Sequence, residues 1–281
     1  MPITLRRFLP VGLAFAAALC VAAPRQAEAL TISLDFVTGA TTDGLGVHTT
    51  TADYSAFGFT GMNTAQIQSS ILAAVVMDYL GFPTVATNAL SPLAAGKQLD
   101  INFVMGNSTA APANGDSEYY FVAIGNKAGA DSFLGQACIS CVRDSSGAGP
   151  NFGTTNGNIV GSILVDNIAA LAGLADTDIE RVNLLAETVA HEVGHSLSLL
   201  HPNGPEANPG QSIYSIMGTG ASPTNMPNDQ RILDRAFAYG EFDQLIDAIG
   251  VRDAAVPEPA SWIAFAFGTA ALFRVARRRR G

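Results

Sequence analysis

The sequence is poor in charged residues and, away from its two ends, poor in basic ones. Only 14% of its 281 residues are charged, and 24 acidic side chains stand against 15 basic ones. Within residues 30–256 there are 7 basic and 22 acidic residues, a net charge of −15. Such an acidic body repels phosphate backbones, so nucleic-acid binding is not expected. The 48% hydrophobic content excludes general disorder, because disordered chains lack the apolar residues that form a core.

The remaining basic residues lie at the two ends, where targeting signals are found. Arg6 and Arg7 precede an apolar run over 8–23, and a small-x-small cleavage site follows at 27–29. This order predicts a secretory signal peptide over 1–29, cut by signal peptidase. A transmembrane anchor is the alternative, for which the apolar run is short.

The C-terminus carries a second signal. Pro257, Glu258 and Pro259 precede an apolar stretch over 262–273 and then an Arg-rich end. This order resembles the PEP-CTERM sorting tail of Gram-negative bacteria, here over 257–281. The resemblance implies export across the inner membrane, transient membrane contact through the tail, recognition and removal of the tail by an exosortase, and a final location at the cell surface or outside the cell. A weak permanent anchor is the alternative, because a spanning helix needs about 20 apolar residues.

The body between the two signals has the size of one domain. Alternation of apolar and polar residues and short apolar runs predict strands over 30–36, 99–105, 118–124 and 159–165. Apolar residues at helical spacing predict a helix over 64–80, which begins near Asn63. Residues 144–158 are rich in Gly, Ser, Asn and Thr, and this composition predicts a loop.

The best-marked element is a long helix that begins after Thr177. Thr177 and Glu180 fit a capping box. Apolar residues then recur every three or four positions and predict a core-facing stripe formed by Ile179, Val182, Ala186, Val189 and Val193. His191 lies about 200° around the helix axis from Val189, and His195 follows one turn later. Both histidines therefore point away from the core stripe.

Residues 191–195 read His-Glu-x-x-His. Two imidazoles at i and i+4 can share a zinc ion, and Glu192 can take a proton from the zinc-bound water. Zinc lowers the pKa of that water to about 7, so that hydroxide is available near neutrality. A third histidine, His201, stands ten residues after His191, although the chain has only 4 histidines. At this composition such spacing has a chance probability on the order of 10⁻⁵ for the whole chain.

The three histidines, Glu192 and a later methionine together resemble the metzincin clan of zinc peptidases. The clan's pattern is H-E-x-x-H-x-x-G-x-x-H followed by a Met-turn, and residues 215–218 supply Met217 in a turn-like setting. The resemblance implies a zinc-dependent endopeptidase that hydrolyses a protein or peptide substrate. The site residues that it implies are His191, His195 and His201 as zinc ligands, Glu192 as general base, and Met217 as the structural methionine.

The same resemblance implies an α+β fold. It predicts a mixed twisted sheet, two long helices above a zinc cleft and a small, mostly helical C-terminal subdomain. The upper subdomain would cover 30–200 and the lower one 201–256. The pattern is a matrixin-like variant, but the Met-x-Pro ending typical of matrixins is missing, so the subfamily stays open.

One position departs from the clan's pattern. The glycine at which the chain turns out of the helix is Ser198 here. A continued helix would carry His201 about 9 Å further along the axis than the second histidine, so a turn is required. A left-handed conformation costs Ser roughly 1–2 kcal/mol, which zinc binding can offset, and Pro202 disfavours helical geometry at the residue before it. If His201 is not the third ligand, Glu206 or Glu241 is the substitute.

Cys138 and Cys141 form the other pair of interest. In an exported protein we expect them to form a local disulfide. A zinc half-site would need a second pair, which the mature chain lacks, and a redox site lacks the surroundings of thioredoxin-like motifs. Calcium is a second candidate ion, near Asp166 and Asn167, although the spacing of a calcium loop is missing.

Two further classes of function stay open beside the endopeptidase. The first is a surface or extracellular-matrix protein that has the metzincin fold but is catalytically weak or inactive. Only Ser198 favours it, and the intact His191, Glu192 and His195 argue against it. A zinc-binding adhesion module would need no Glu192. Replacement of Glu192 by Gln separates these classes, because an enzyme would lose turnover and keep its metal.

Overall fold

The described part of the chain folds around a mixed β-sheet. The computed structural model describes residues 29–254, with gaps at 44, 82–92, 94–95, 107–118, 140, 143–158 and 206–213. The predicted signal peptide up to residue 28, the sorting tail, the loop over 144–158 and Glu206 therefore lie outside the described residues. In the described part, no helix is long and apolar enough to cross a membrane.

The strands are β1 (Leu30–Phe36), β2 (Thr41–Thr42), β3 (His48–Thr50), β4 (Lys97–Leu99), β5 (Ile101–Gly106), β6 (Tyr119–Lys127), β7 (Gly135–Ala137), β8 (Ile159–Leu164) and β9 (Val251–Asp253). In the main sheet β1 lies parallel to β5 and to β6, and β6 lies parallel to β8. β7 runs antiparallel to β8, and the β2–β3 pair joins the end of β6. A separate two-stranded sheet pairs β4 with β9.

The predicted strands are confirmed, with one correction. β1 has the predicted bounds; it lies between β5 and β6, and its apolar residues are buried. The predicted strand over 99–105 is in fact two strands that belong to different sheets. Asp100 interrupts them, since its N–H donates to Gly250 O at 3.1 Å and the chain changes partners there. Met105 is 43% exposed near the end of β5.

The helices are α1 (Thr64–Val76), α2 (Val165–Ala169), α3 (Asp178–Ser196) and α4 (Tyr239–Ile249). A π-helical turn, Met77–Gly81, continues α1, so the two together cover the predicted helix over 64–80. Asn63 caps α1 through a capping box with Gln66. α1 and α3 pack against each other, and α3 also packs against β7 and β8. The α+β class and the mixed sheet are as predicted.

The long helix α3 begins and packs largely as the sequence predicts. Thr177 and Glu180 form the expected capping box. Val182, Ala186, Val189 and Val193 are all at most 5% exposed, which confirms the core stripe over most of its length. Ile179 was wrongly included in the stripe, because the first turn of α3 extends past the core and leaves this side chain 68% exposed.

The C-terminal segment of the described chain ends in a strand that pairs with β4. It contains the 3-10 turn Asn228–Ile232, then α4, then β9. Because β9 pairs with β4, the last described strand is tied to a segment more than 150 residues earlier. The 3-10 turn of this segment packs against α3, at whose C-terminal end the candidate site lies.

Candidate metal centre

Three imidazoles meet at the C-terminal end of α3. His191 and His195 lie one turn apart on the helix, and His201 reaches them from the segment that follows it. Nε2 of His201 lies 3.1 Å from Nε2 of His191 and 2.9 Å from Nε2 of His195. Nitrogens that share a tetrahedral zinc ion at about 2.0–2.1 Å lie about 3.3–3.4 Å apart, so this donor set could hold zinc.

Backbone carbonyls orient two of the three rings. Nδ1 of His191 lies 2.9 Å from Ile216 O, and Nδ1 of His195 lies 2.8 Å from Leu199 O. A carbonyl can only accept, so each Nδ1 carries the proton and each Nε2 keeps its lone pair for a ligand bond. Burial lowers the pKa of all three imidazoles, most strongly that of His191, and they are therefore in the neutral form that binds metal.

The turn after α3 brings His201 back to the helix. The N–H of Leu199 donates to Gly194 O at 3.0 Å, and the N–H of Ser198 donates to His195 O at 3.0 Å. These two bonds define a Schellman motif, in which the position of Ser198 is normally glycine. Ser198 has a φ of 81°, the left-handed conformation that the sequence predicts for the residue at which the chain turns. The chain thus leaves the helix at the predicted residue.

Glu192 lies in the same cleft as the histidines and is only 6% exposed. Burial raises the pKa of its carboxyl to about 8. The side chain packs on the backbone of β7, where a Cβ atom at Gly135 would lie 2.7 Å from Cγ and 2.8 Å from Oε1 of Glu192. Any residue other than glycine at position 135 would therefore require this side chain to shift. No motif marks Gly135, so sequence reasoning missed it.

Met217 packs against α3 next to the histidines. It is 0% exposed, in a turn in which Gly218 N–H donates to Ser215 O at 3.0 Å. A Cβ atom at Gly194 would lie 2.6 Å from Sδ of Met217. Glycine inside a helix costs about 1 kcal/mol relative to alanine, and this close approach explains why Gly194 is there.

A buried ion network holds the turn that carries Met217. Nη1 of Arg235 donates to Ser215 O at 2.8 Å, and Nε of Arg235 lies 3.3 Å from Oε2 of Glu187. Ser215 Oγ donates to Oε1 of Glu241 at 2.8 Å, and Oε2 of Glu241 accepts from Ala238 N–H at 2.7 Å. Glu241, the suggested substitute ligand, is engaged by these bonds and is not one of the clustered donors around the histidines.

Sequence reasoning also missed an acidic cluster beside this network. Carboxylate oxygens of Asp78, Glu187 and Asp234 lie within 4.8 Å of one another. Burial raises the pKa of Asp78 and of Glu187, and the charge of Glu187 raises that of Asp78 further. The three residues come from the turn after α1, from α3 and from the segment before α4. No spacing in the sequence could have linked them.

The histidines and Glu192 border an open cleft of about 690 Å³. β7 and the exposed side chain of Ile139 form part of its lining, as do residues 218–221 and Arg231. The Cys138–Cys141 disulfide is present directly after β7. Cys138 N–H donates to Val160 O and Val142 N–H donates to Ser196 O, each at 3.0 Å, so the disulfide loop links β8 to the end of α3.

Asp166 and Asn167, the candidate calcium residues, bind protein groups. Oδ1 of Asp166 accepts from Lys127 N–H at 2.9 Å, and Oδ1 of Asn167 accepts from Lys127 Nζ at 2.7 Å. Nδ2 of Asn167 donates to the carbonyls of Asp131 and Phe133. The pair therefore anchors the segment that leads into β7, and calcium binding stays a prediction.

No protein-family model and no curated protein matches the chain. Among solved structures, it is similar to the crystal structure of archaemetzincin from Methanopyrus kandleri, with 14% identity and a TM-score of 0.36, over 81% of this chain and 98% of that chain. It is also similar to the GM1-bound form of the ECX AB5 holotoxin, with 14% identity and a TM-score of 0.33, over 82% of this chain and 83% of that chain. At TM-scores this low, neither likeness bears on function.

Proposed function

We propose that the protein is an exported zinc-dependent endopeptidase that hydrolyses peptide bonds in a protein or peptide substrate. The observation that carries the proposal is the convergence of three imidazole Nε2 atoms beside a buried glutamate in one open cleft. In this proposal His191, His195 and His201 hold zinc and Glu192 is the general base. Zinc, when bound, supplies a Lewis acid and lowers the pKa of a water molecule to about 7.

Glu192 is suited to move a proton in both directions. Burial raises the pKa of its carboxyl to about 8, whereas a nearby cation would favour the ionised form and lower that pKa. These two opposing influences bring the pKa of the carboxyl close to neutral pH. At such a pKa the carboxylate can take a proton from water and then deliver it to the departing amine. The close contact with Gly135 fixes the position from which Glu192 does this.

β7 is suited to bind the backbone of the substrate. It pairs with β8 through one edge, and within the described ranges its other edge has no strand partner. Residues of β7 line the cleft that contains Glu192 and the histidines. An extended peptide that adds to this edge would gain main-chain hydrogen bonds and lie in the same cleft as the candidate general base.

We also propose an extracytoplasmic location for the mature protein. Signal peptidase would remove 1–29, and an exosortase of a Gram-negative bacterium would remove the tail over 257–281 at the inner membrane. The body over 30–256 would then reach the cell surface or the exterior. The local disulfide between Cys138 and Cys141 supports this, because such bonds form and persist in oxidising compartments.

The decisive experiment compares Glu192→Gln with the purified wild type. The variant should keep about one zinc ion per chain, whereas its rate of peptide cleavage should fall by about 10²–10⁴. Glu180→Gln is the matched control, because it makes the same change on the same helix at an exposed capping position that glutamine also fits. This control should cleave at the wild-type rate.

Two outcomes would contradict the proposal. Cleavage by Glu192→Gln at the wild-type rate would remove the general-base role. A wild-type protein that holds zinc and cuts no peptide in a proteome-derived library would favour the inactive surface or matrix protein instead.

A further inference from the structure

Arg231 places a guanidinium in the wall of the cleft. Its Nε atom is fully buried, and among the described residues the side chain has no hydrogen-bond or ion-pair partner. Burial lowers the pKa of Arg231, and the charge of Arg235 lowers it further. A partly buried charge is costly when no counter-ion lies nearby, and none is present among the described residues; a side chain held in this state next to a cleft suggests that its partner is a ligand.

Arg235, the other arginine that lines the cleft, already has a carboxylate partner. Arg235 is paired with Glu187, with 3.3 Å between Nε and Oε2, and its Nη1 donates to Ser215 O. Oε1 of Glu187 accepts from the backbone N–H of Arg235 at 2.8 Å. Glu187 is thus paired with Arg235, and no carboxylate of the described residues forms an ion pair with Arg231.

The position of Arg231 is fixed by its surroundings. It belongs to the 3-10 turn Asn228–Ile232, which is attached to α3 because Asn183 Nδ2 donates to Ile232 O at 3.0 Å. A Cβ atom at Gly220 would lie 2.9 Å from Nη2 of Arg231, so the guanidinium packs directly on the backbone there. Such positioning prepares the planar group for a bidentate contact with a carboxylate.

We propose that Arg231 determines specificity by binding the carboxylate of an acidic residue of the substrate, close to the bond that is cut. This inference rests on the proposed peptidase function and names its substrate class: proteins or peptides with Asp or Glu near the scissile bond. The body of the protein is strongly acidic and repels such peptides overall, so the preference depends on this one local charge.

The test begins with a proteome-derived peptide library, which locates the substrate position where Asp and Glu are enriched. Three fluorogenic peptides that differ only there, with Glu, Gln or Lys, are then compared by kcat/KM. The wild type should favour the Glu peptide over the Gln peptide by about 10- to 100-fold, the range of a charge-assisted hydrogen bond. Arg231→Gln should reduce this ratio to below about threefold, and Arg231→Lys should keep part of it.

Lys97→Gln is the matched control. It removes the same charge from an exposed ion pair with Asp253, away from the cleft lining, and should leave the Glu-to-Gln ratio unchanged. A loss of preference in this control would overturn the inference, because net charge rather than Arg231 would then set the ratio.

A second measurement separates failure of the subsite from failure of the peptidase. The same peptides are titrated onto zinc-loaded Glu192→Gln, with and without Arg231→Gln. If the Glu peptide binds selectively and this selectivity depends on Arg231, while the zinc-loaded wild type cuts none of the peptides, the subsite is supported and the peptidase is refuted. Cleavage without any acidic preference would refute the subsite alone.

The melting temperature of Arg231→Gln provides a readout that is independent of substrate. Because the guanidinium has no partner among the described residues, its removal should leave the melting temperature at or above the wild-type value. A fall of many degrees would show that Arg231 serves a structural ion pair, and the inference would be overturned.

Discussion

Ser198→Gly should make the protein more stable. Ser198 has a φ of 81° at the residue where α3 ends in a Schellman motif, a position normally occupied by glycine. A side chain with a Cβ atom is strained in this conformation, whereas glycine adopts it readily. The Ser198 side chain is exposed, and no hydrogen bond of its hydroxyl is present within the described part of the chain, so little is lost by its removal.

The size of the effect follows from two opposing contributions. Relief of the left-handed strain favours glycine by about 1–2 kcal/mol. The greater conformational freedom of glycine in the unfolded chain opposes this by roughly 0.5–1 kcal/mol. The free energy of unfolding should therefore rise by up to about 1.5 kcal/mol, with a central value of about 0.75 kcal/mol, which for a body of this size raises the melting temperature by a few degrees.

Thermal melting and urea unfolding with zinc bound would measure this difference. Ser198→Ala should be close to neutral, because alanine keeps the Cβ atom and the strain. Ser196→Gly is the opposite control: Ser196 is the buried last residue of α3, its Oγ donates to Val193 O at 2.7 Å, and glycine there should destabilise by about 1 kcal/mol or more. If Ser198→Gly loses stability as Ser196→Gly does, the chain does not turn at 198 and the third ligand must be sought elsewhere.

Two further predictions concern the metal and the helix packing. His201→Ala should lower the zinc content measured after dialysis well below one ion per chain, since only two imidazoles remain; unchanged zinc would remove His201 from the ligand set. Gly194→Ala should destabilise the protein by about 1–3 kcal/mol in urea unfolding, because the new Cβ atom would lie 2.6 Å from Sδ of Met217. A stabilised Gly194→Ala, as helix propensity alone would give, would show that Met217 does not pack there.

Local chemistry made several elements predictable from the sequence. The capping box at Thr177 and the exit from α3 at Ser198 depend on residues within a few positions of one another. His191 and His195 share a helical face through the helical period alone. His201 follows the turn at Ser198 by only three residues, so it could be expected close to the other two histidines, and its Nε2 lies beside theirs.

Contacts between distant segments could not be predicted in this way. The interruption at Asp100 depends on a bond to Gly250, about 150 residues later, which no local alternation reveals. The exposure of Ile179 depends on where the core ends rather than on helical phase. Arg231 has no motif around it, and only the assembled cleft shows that no group in the described part of the chain binds its side chain.

A comparison of Ser198 with two glycines near the site shows whether the serine disturbs the candidate metal centre. Position 198 is exposed, so the serine side chain strains the backbone there but does not push any site residue out of place. By contrast, a Cβ atom at Gly194 would meet Met217 and one at Gly135 would meet Glu192. His201 still reaches the other two imidazoles despite the strain. Serine in place of glycine at position 198 therefore affects the free energy of folding and leaves the three imidazole nitrogens in place. A substitution at Gly135 would instead require the side chain of the candidate general base itself to shift.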